Sequence, residues 1–248
     1  MKDSPENQHE CYCCQEIGTT KDHIPPKCFF PKKEDLPEGY LDKTRGNLIT
    51  VPSCEQHNNG RSKDDEYTAA FLAINSYEAS SLAKRMSETK WQRALKRHGY
   101  SLLKRIFANS TPVGIISTTP SGLLIHQPTV IVSCEVERIY NVIKSIALGI
   151  YYLESGYKEK WNHNCIIRSP NFLYRDLSEP KDMDFLVKLN EEFTNVEYHP
   201  KLMKVGCDNK GDYPEIFYYQ FFRNPEDKLH KIRMVFYDHF VFFAFLEP

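Results

Sequence analysis

Apolar residues recur at steps of three and four along Val136, Ile139, Tyr140, Ile143, Ile146, Ala147, Ile150 and Tyr151, and Gly156 stands just beyond them. This period keeps one face of a helix on a core, and a glycine at that place suits the turn that ends it. Downstream the pattern changes. Met203–Cys207, Ile216–Phe222, Lys231–Tyr237 and Phe240–Leu246 are short runs dense in apolar residues, most of them aromatic or β-branched. Polar turns at Asp208–Gly211 and Asn224–Asp227 lie between them, so the runs predict strands. A second helix is expected over Asp182–Phe193, and Thr111–His126 reads as a hairpin around Thr119-Pro120-Ser121-Gly122. Upstream, Lys21–Ile24 and Asn47–Pro52 predict two short strands, the first entered through a turn at Gly18-Thr19-Thr20 and stopped by Pro25 and Pro26. Lys32–Arg45 is a polar loop, and Asn58 and Asn59 are good N-caps for a helix continuing through Glu66–Leu72.

These elements predict an α+β fold whose C-terminal part carries a mostly antiparallel sheet. They divide the chain into a disordered tail over 1–10, a core over 11–72, a basic helical segment over 73–110 and an α+β domain without an assigned role over 111–248. The C-terminal aromatics read as core packing rather than a base-stacking platform.

No apolar run reaches the length of a membrane span. The first residues, Met1-Lys2-Asp3-Ser4-Pro5-Glu6, lack the apolar core of a secretory signal, so a cytoplasmic setting is expected. In a reducing compartment eight cysteines do not suggest disulfides, and the crowding of Cys11, Cys13, Cys14, Cys28 and Cys54 near one end favours a metal. Cys28, beside Phe29 and Phe30, reads as core; Cys134, Cys165 and Cys207 lack ligand spacing and read as buried thiols.

The formal net charge of −1 conceals a local excess: Lys84 to Arg105 holds eight basic residues against one acid, Glu88. Such a run either docks a polyanion, through residues such as Lys90, Arg93 and Arg97, or is the solvated face of a helix. From residue 111 onward acidic residues outnumber basic ones, which does not make a nucleic-acid surface.

The densest chemistry lies between residues 11 and 60. Cys11-x-x-Cys14 and Cys54-x-x-His57 are two short-spaced pairs, and two such turns closing on one ion are what tetrahedral zinc requires. Cys13 competes as a ligand, and His9 is a more distant rival. Between the pairs lies Lys21-Asp22-His23-Ile24-Pro25-Pro26-Lys27, and Asn58 follows His57 directly.

Over residues 11 to 66, about a quarter of the chain, this arrangement resembles the HNH endonucleases of the ββα-metal fold, in the subgroup stapled by a zinc knuckle. The resemblance implies that Asp22 and Asn58 are ligands of a catalytic divalent metal, that His23 is the general base and that Asn47 orients it. It implies structural Zn2+ on Cys11, Cys14, Cys54 and His57. Some members carry a further histidine one helical turn later, where this chain has Ser62, which suggests a metal with two protein ligands completed by water and phosphate oxygens.

The same roles can be argued from chemistry. Phosphodiester hydrolysis needs an in-line water, a proton acceptor and positive charge at the phosphate; neutral imidazole at pH 7 can accept the proton. Oxygen ligands from Asp22 and Asn58 suit Mg2+ or Mn2+. On a regular strand Asp22 and His23 would face opposite ways, and a strand end broken by Pro25 and Pro26 would relax this. Arg61 and Lys63 could hold phosphates, although a solvated helix turn also explains them.

The expected activity is therefore an endonuclease acting on nucleic acid, DNA in preference to RNA, with no membrane partner. A homodimer or a protein partner could engage the C-terminal domain. Two other readings stand: a zinc-stapled module that binds nucleic acid or protein without cutting, and an active C-terminal domain for which residues 11–66 are a scaffold.

Overall fold

Two four-residue strands, β1 (Thr20–His23) and β2 (Thr50–Ser53), pair antiparallel, with Asp22 opposite Val51 and His23 opposite Thr50. The ladder runs one residue further, where the Ile24 amide donates to the Ile49 carbonyl at 2.9 Å. This computed structural model describes residues 9–36, 45–108, 110–118, 121–131, 134–175, 188, 208–223 and 229–248. The expected strand over Met203–Cys207, the turn over Asn224–Asp227, tail residues 1–8 and all of the Asp182–Phe193 helix except Lys188 lie outside them.

After β2 the chain makes a tight turn and enters α1 (Ser62–Asn75), which starts earlier and ends later than the expected Glu66–Leu72. Neither expected asparagine cap forms: residues 59–61 make a single 3-10 turn, and Asn58 makes no side-chain capping bond. The basic segment folds as α2 (Ser81–Met86), a π turn over Ser87–Trp91, α3 (Gln92–Lys96) and α4 (Ser101–Phe107). The hairpin β3 (Thr111–Thr118) and β4 (Leu124–Ile131) follows, with Thr111 opposite Ile131.

Helix α5 (Val136–Glu154) keeps Ile139, Val142, Ile143, Ile146, Ala147 and Ile150 fully buried, as its period predicts. Gly156, at φ +71°, donates to the Leu153 carbonyl and Tyr157 donates to that of Tyr152, both at 2.9 Å. This double bond at a left-handed residue is a Schellman cap, and it satisfies two carbonyls that the helix end would otherwise leave open.

The C-terminal sheet is fully antiparallel, in the order β5 (Asn164–Arg168), β9 (Phe240–Glu247), β8 (His230–Phe236), β7 (Phe217–Arg223), β6 (Lys210–Tyr213). The described residues thus form an α+β fold with antiparallel sheets. Lys210 and Gly211, expected in a turn, instead belong to β6. Its pairing with β7, Lys210 opposite Tyr219 and Tyr213 opposite Phe217, supplies what a polar Lys-Gly-Asp-Tyr run lacks in strand preference.

One buried core runs from Cys11 to Leu246. Phe29 meets Phe236 of β8 at 5.3 Å between ring centroids, and Phe71 of α1 meets Phe240 of β9 at 6.2 Å. Ile24 lies against α5 at Gly149, where an added Cβ would sit 2.6 Å from both Cδ1 and Cγ1 of the isoleucine. Gly149→Ala should gain about 1 kcal/mol of helix preference and lose about 1–3 kcal/mol to overpacking. The clash reaches Cγ1 as well as the flexible end, so the net change is destabilising and the urea midpoint should fall. Among the described residues, no helix is long and apolar enough to cross a membrane.

Candidate metal centre

The first pair of ligands sits in a loop closed by a bridge between Glu10 and Ile17, with the Cys11 amide donating to the Glu16 carbonyl at 2.8 Å. The Tyr12 amide donates to the Pro52 carbonyl at 3.0 Å, so this loop is fastened to β2. The second pair follows β2 directly in a turn closed by the Asn58 amide on the Cys54 carbonyl at 3.1 Å. Ligand atoms of Cys11, Cys14, Cys54 and His57 consequently lie within 4.8 Å of one another, close enough to hold one metal ion such as zinc.

Their spacing suits that ion. Tetrahedral zinc with Zn–S of about 2.3 Å places its sulfurs about 3.8 Å apart and a nitrogen about 3.5 Å from each sulfur. Cys14 and Cys54 Sγ are 3.8 Å apart, and Nδ1 of His57 lies 3.1 Å from Cys54 Sγ and 3.8 Å from Cys11 Sγ. The imidazole therefore presents Nδ1 to the cluster. Burial alone would push the Cys11 thiol up, but hydrogen bonding from the backbone at Cys54, Cys13 and Cys14 outweighs it and holds the thiol below its ordinary value. Burial and the neighbouring Cys11 and Cys54 push Cys14 up to about 11. Thiolates cannot accumulate in such a cluster without a compensating cation, and a dication supplies that compensation. Cys13 lies outside the quartet; its amide donates to Cys11 Sγ at 3.4 Å, and burial pushes its thiol up to about 12.

Asp22 faces inward from β1. Its Oδ2 accepts from the Tyr12 hydroxyl at 2.9 Å and from Arg61 Nη2 at 2.7 Å, with the two charged side chains only 4% and 10% exposed. Arg61 also donates through Nε to Asp65 Oδ1 at 3.0 Å and through Nη1 to the Tyr12 oxygen at 3.1 Å. The cation on the Asp22 carboxylate is thus a guanidinium. Burial pushes Asp65 up to about 6, against the pull of Arg61. Tyr12, placed between two ligand cysteines, links the metal cluster to this network.

His23 faces the other way from β1 and is half-buried. Burial, then the charges of Lys27 and Arg45, hold its imidazole below the ordinary 6.5, against the opposing pull of Asp22. Asn58 donates from Nδ2 to Thr20 Oγ1 at 3.0 Å and to the Lys21 carbonyl at 3.3 Å, fastening the metal turn to the strand that carries Asp22 and His23. Asn47 is exposed and lines a shallow groove with Ile24, Pro25 and Tyr213; among the described residues it makes no hydrogen bond to His23.

The expected phosphate ligands divide. Lys63 and Arg97 are exposed, whereas Arg61 is enclosed in the Asp22 network. Arg93 pairs with the buried Asp35. Lys90 donates to the carbonyls of Cys28 and Phe30 across the loop, and burial lowers its ammonium to about 8. Sequence reasoning passed over Tyr12, Lys27 and Arg45. Lys27 stood four positions after His23, and Tyr12 lay inside the first ligand pair, but neither residue type marks such a role by itself.

No protein-family model, curated protein or solved structure matches this chain.

Proposed function

We propose that this chain is an endonuclease that hydrolyses phosphodiester bonds in nucleic acid, DNA in preference to RNA, with His23 as the proton acceptor. The observation that carries the reading is a half-buried imidazole, depressed in pKa, at the end of a hairpin tied to a Cys3His cluster through Asn58. The order of hairpin, metal turn and helix follows the ββα arrangement that the resemblance implies. A neutral imidazole can take a proton from an attacking water, and Lys27 and Arg45, whose charges reach His23, supply positive potential for a phosphate. Zn2+ on Cys11, Cys14, Cys54 and His57 would hold the hairpin and take no part in the reaction.

The resemblance also implies Mg2+ or Mn2+ on Asp22 and Asn58. As placed, these residues do not form a cation site, because Asp22 holds Arg61 and the Asn58 amide is turned to Thr20 and Lys21. The same ion pair favours a second reading, a zinc-stapled module that binds nucleic acid without cutting.

Supercoiled plasmid and structured RNA, each with Mg2+, Mn2+ or chelator, separate the two. The nuclease reading expects cleavage that His23→Ala lowers by about 10²- to 10⁴-fold with binding retained. An unchanged rate removes His23 from the mechanism, and a wild-type chain that binds but never cuts leaves the binding module. The pH profile adds a sign. Because the imidazole is held below 6.5, its neutral form persists to lower pH, so the rate should fall only as pH drops beneath the ordinary histidine range. A fall beginning above pH 7 would contradict the assignment.

A further inference from the structure

Three consecutive carbonyls just beyond His23 are each captured by a side chain from a distant part of the chain. Cys28 O accepts from Lys90 Nζ, Phe29 O accepts from the Tyr237 hydroxyl at 2.9 Å, and Phe30 O accepts from Arg45 Nη2 at 2.7 Å and Nε at 3.2 Å. Lys90 reaches Phe30 O as well, at 3.4 Å. A short exposed turn would find such partners in water. Here the donors come from the π turn after α2, the loop before β2 and the turn between β8 and β9.

Tyr237 stands out among them. It is fully buried, and its backbone takes φ +53°, followed by Asp238 at φ +54°. These two successive residues at positive φ, with the His239 amide on the Phe236 carbonyl at 3.1 Å, turn the chain within the three-residue loop between paired Phe236 and Phe240. Left-handed backbone favours Gly, Asn and Asp, and a bulky residue at positive φ is a genuine outlier that surrounding structure must hold in place. The fold accepts Tyr-Asp there, and the ring it gains packs inward with its hydroxyl on the segment after His23.

We infer that Tyr237 is a positioning residue for His23: its hydroxyl, on the Phe29 carbonyl, sets the path of the segment that leaves β1. The inference rests on the reading of His23 as the reacting base. Between His23 and Cys28 lie only Ile24, Pro25, Pro26 and Lys27. Ile24 is wedged against Gly149, and the two prolines have fixed φ, so few torsions remain to absorb a displacement at Phe29. The same segment carries Lys27 and the Phe30 carbonyl on which Arg45 rests, the two cations that act on the imidazole. The C-terminal sheet thereby becomes the base plate of the His23 site.

Tyr237→Phe keeps the ring and removes only the hydroxyl. In the full chain it is expected to lower kcat about tenfold with KM within about twofold, since a small misplacement of a reacting group costs rate more than affinity. The 15N-detected imidazole signals of His23 should shift at unchanged zinc content. Asp238→Gly, which relaxes the turn without touching the hydroxyl, should leave both readouts unmoved. If Tyr237→Phe fails to fold, Lys90→Met, which frees the adjacent Cys28 carbonyl, must move the same signals. Unshifted His23 signals in a folded Tyr237→Phe or Lys90→Met chain overturn the inference. If the wild-type chain does not cut nucleic acid, the nuclease reading fails, and the imidazole signals still decide whether Tyr237 positions His23.

Discussion

Cys54→Ser is expected to leave the protein without zinc and to unfold its N-terminal hairpin well below the wild-type melting temperature. β1 and β2 have four residues each, and a two-stranded hairpin of that size is marginal in water by itself. Beyond the packing of Ile24 and Val51 in the core, what would fasten it is the closure of two loops on one zinc ion, and structural zinc contributes about 10–16 kcal/mol of binding free energy in small zinc domains. Serine replaces a thiolate with a poor ligand. Losing even about 4 kcal/mol of that contribution would lower Tm by roughly 10 °C in a chain of this size. Elemental analysis with a thermal melt checks both parts, and strong chelation should reproduce the effect. Cys13→Ser is the control: its sulfur lies outside the quartet, so zinc should be retained.

Arg61→Met is expected to be the most damaging substitution away from the cluster. It leaves Asp22 and Asp65 buried without their cation and the Tyr12 oxygen without a donor. Breaking a buried pair from one side costs about 3–5 kcal/mol, far more than an exposed ion pair would. Urea unfolding should show that loss at pH 7, and Asp65→Asn in the same background should recover part of it. The wild-type network also makes a pH prediction. Asp65 is raised from 3.8 to about 6, so between those values the folded chain holds a proton that the unfolded chain has released. Its contribution to stability is complete below the lower value and declines as pH rises through the higher one. Asp65→Asn should remove that decline.

How much of this was readable in the chain depended on whether the physical cause was local. Helix α5 announced itself because one face is buried along its whole length and Gly156 ends it. Strands β7, β8 and β9 were visible as dense apolar runs. The metal quartet was visible because ligand pairs need short spacing. β5 was passed over as five residues at a sheet edge, and β6 because its pairing with β7, not its own composition, makes it a strand. Around His23 the informative partners are remote. Asp22 meets Arg61 across 39 residues, and Phe29 meets Tyr237 across 208, so the local pattern could not show that the carboxylate was already engaged. The period of two along β1 did warn that Asp22 and His23 would face apart. Tyr237 left no local sign, because tyrosine is not a residue from which a left-handed turn is read.

Whether a single zinc pins both loops beneath His23 is tested most directly by X-ray absorption at the zinc edge of the purified protein. Three sulfurs at about 2.3 Å and one nitrogen at about 2.0 Å are expected. A shell of four sulfurs, which would bring in Cys13, or one of only oxygen and nitrogen would contradict the Cys11, Cys14, Cys54 and His57 site.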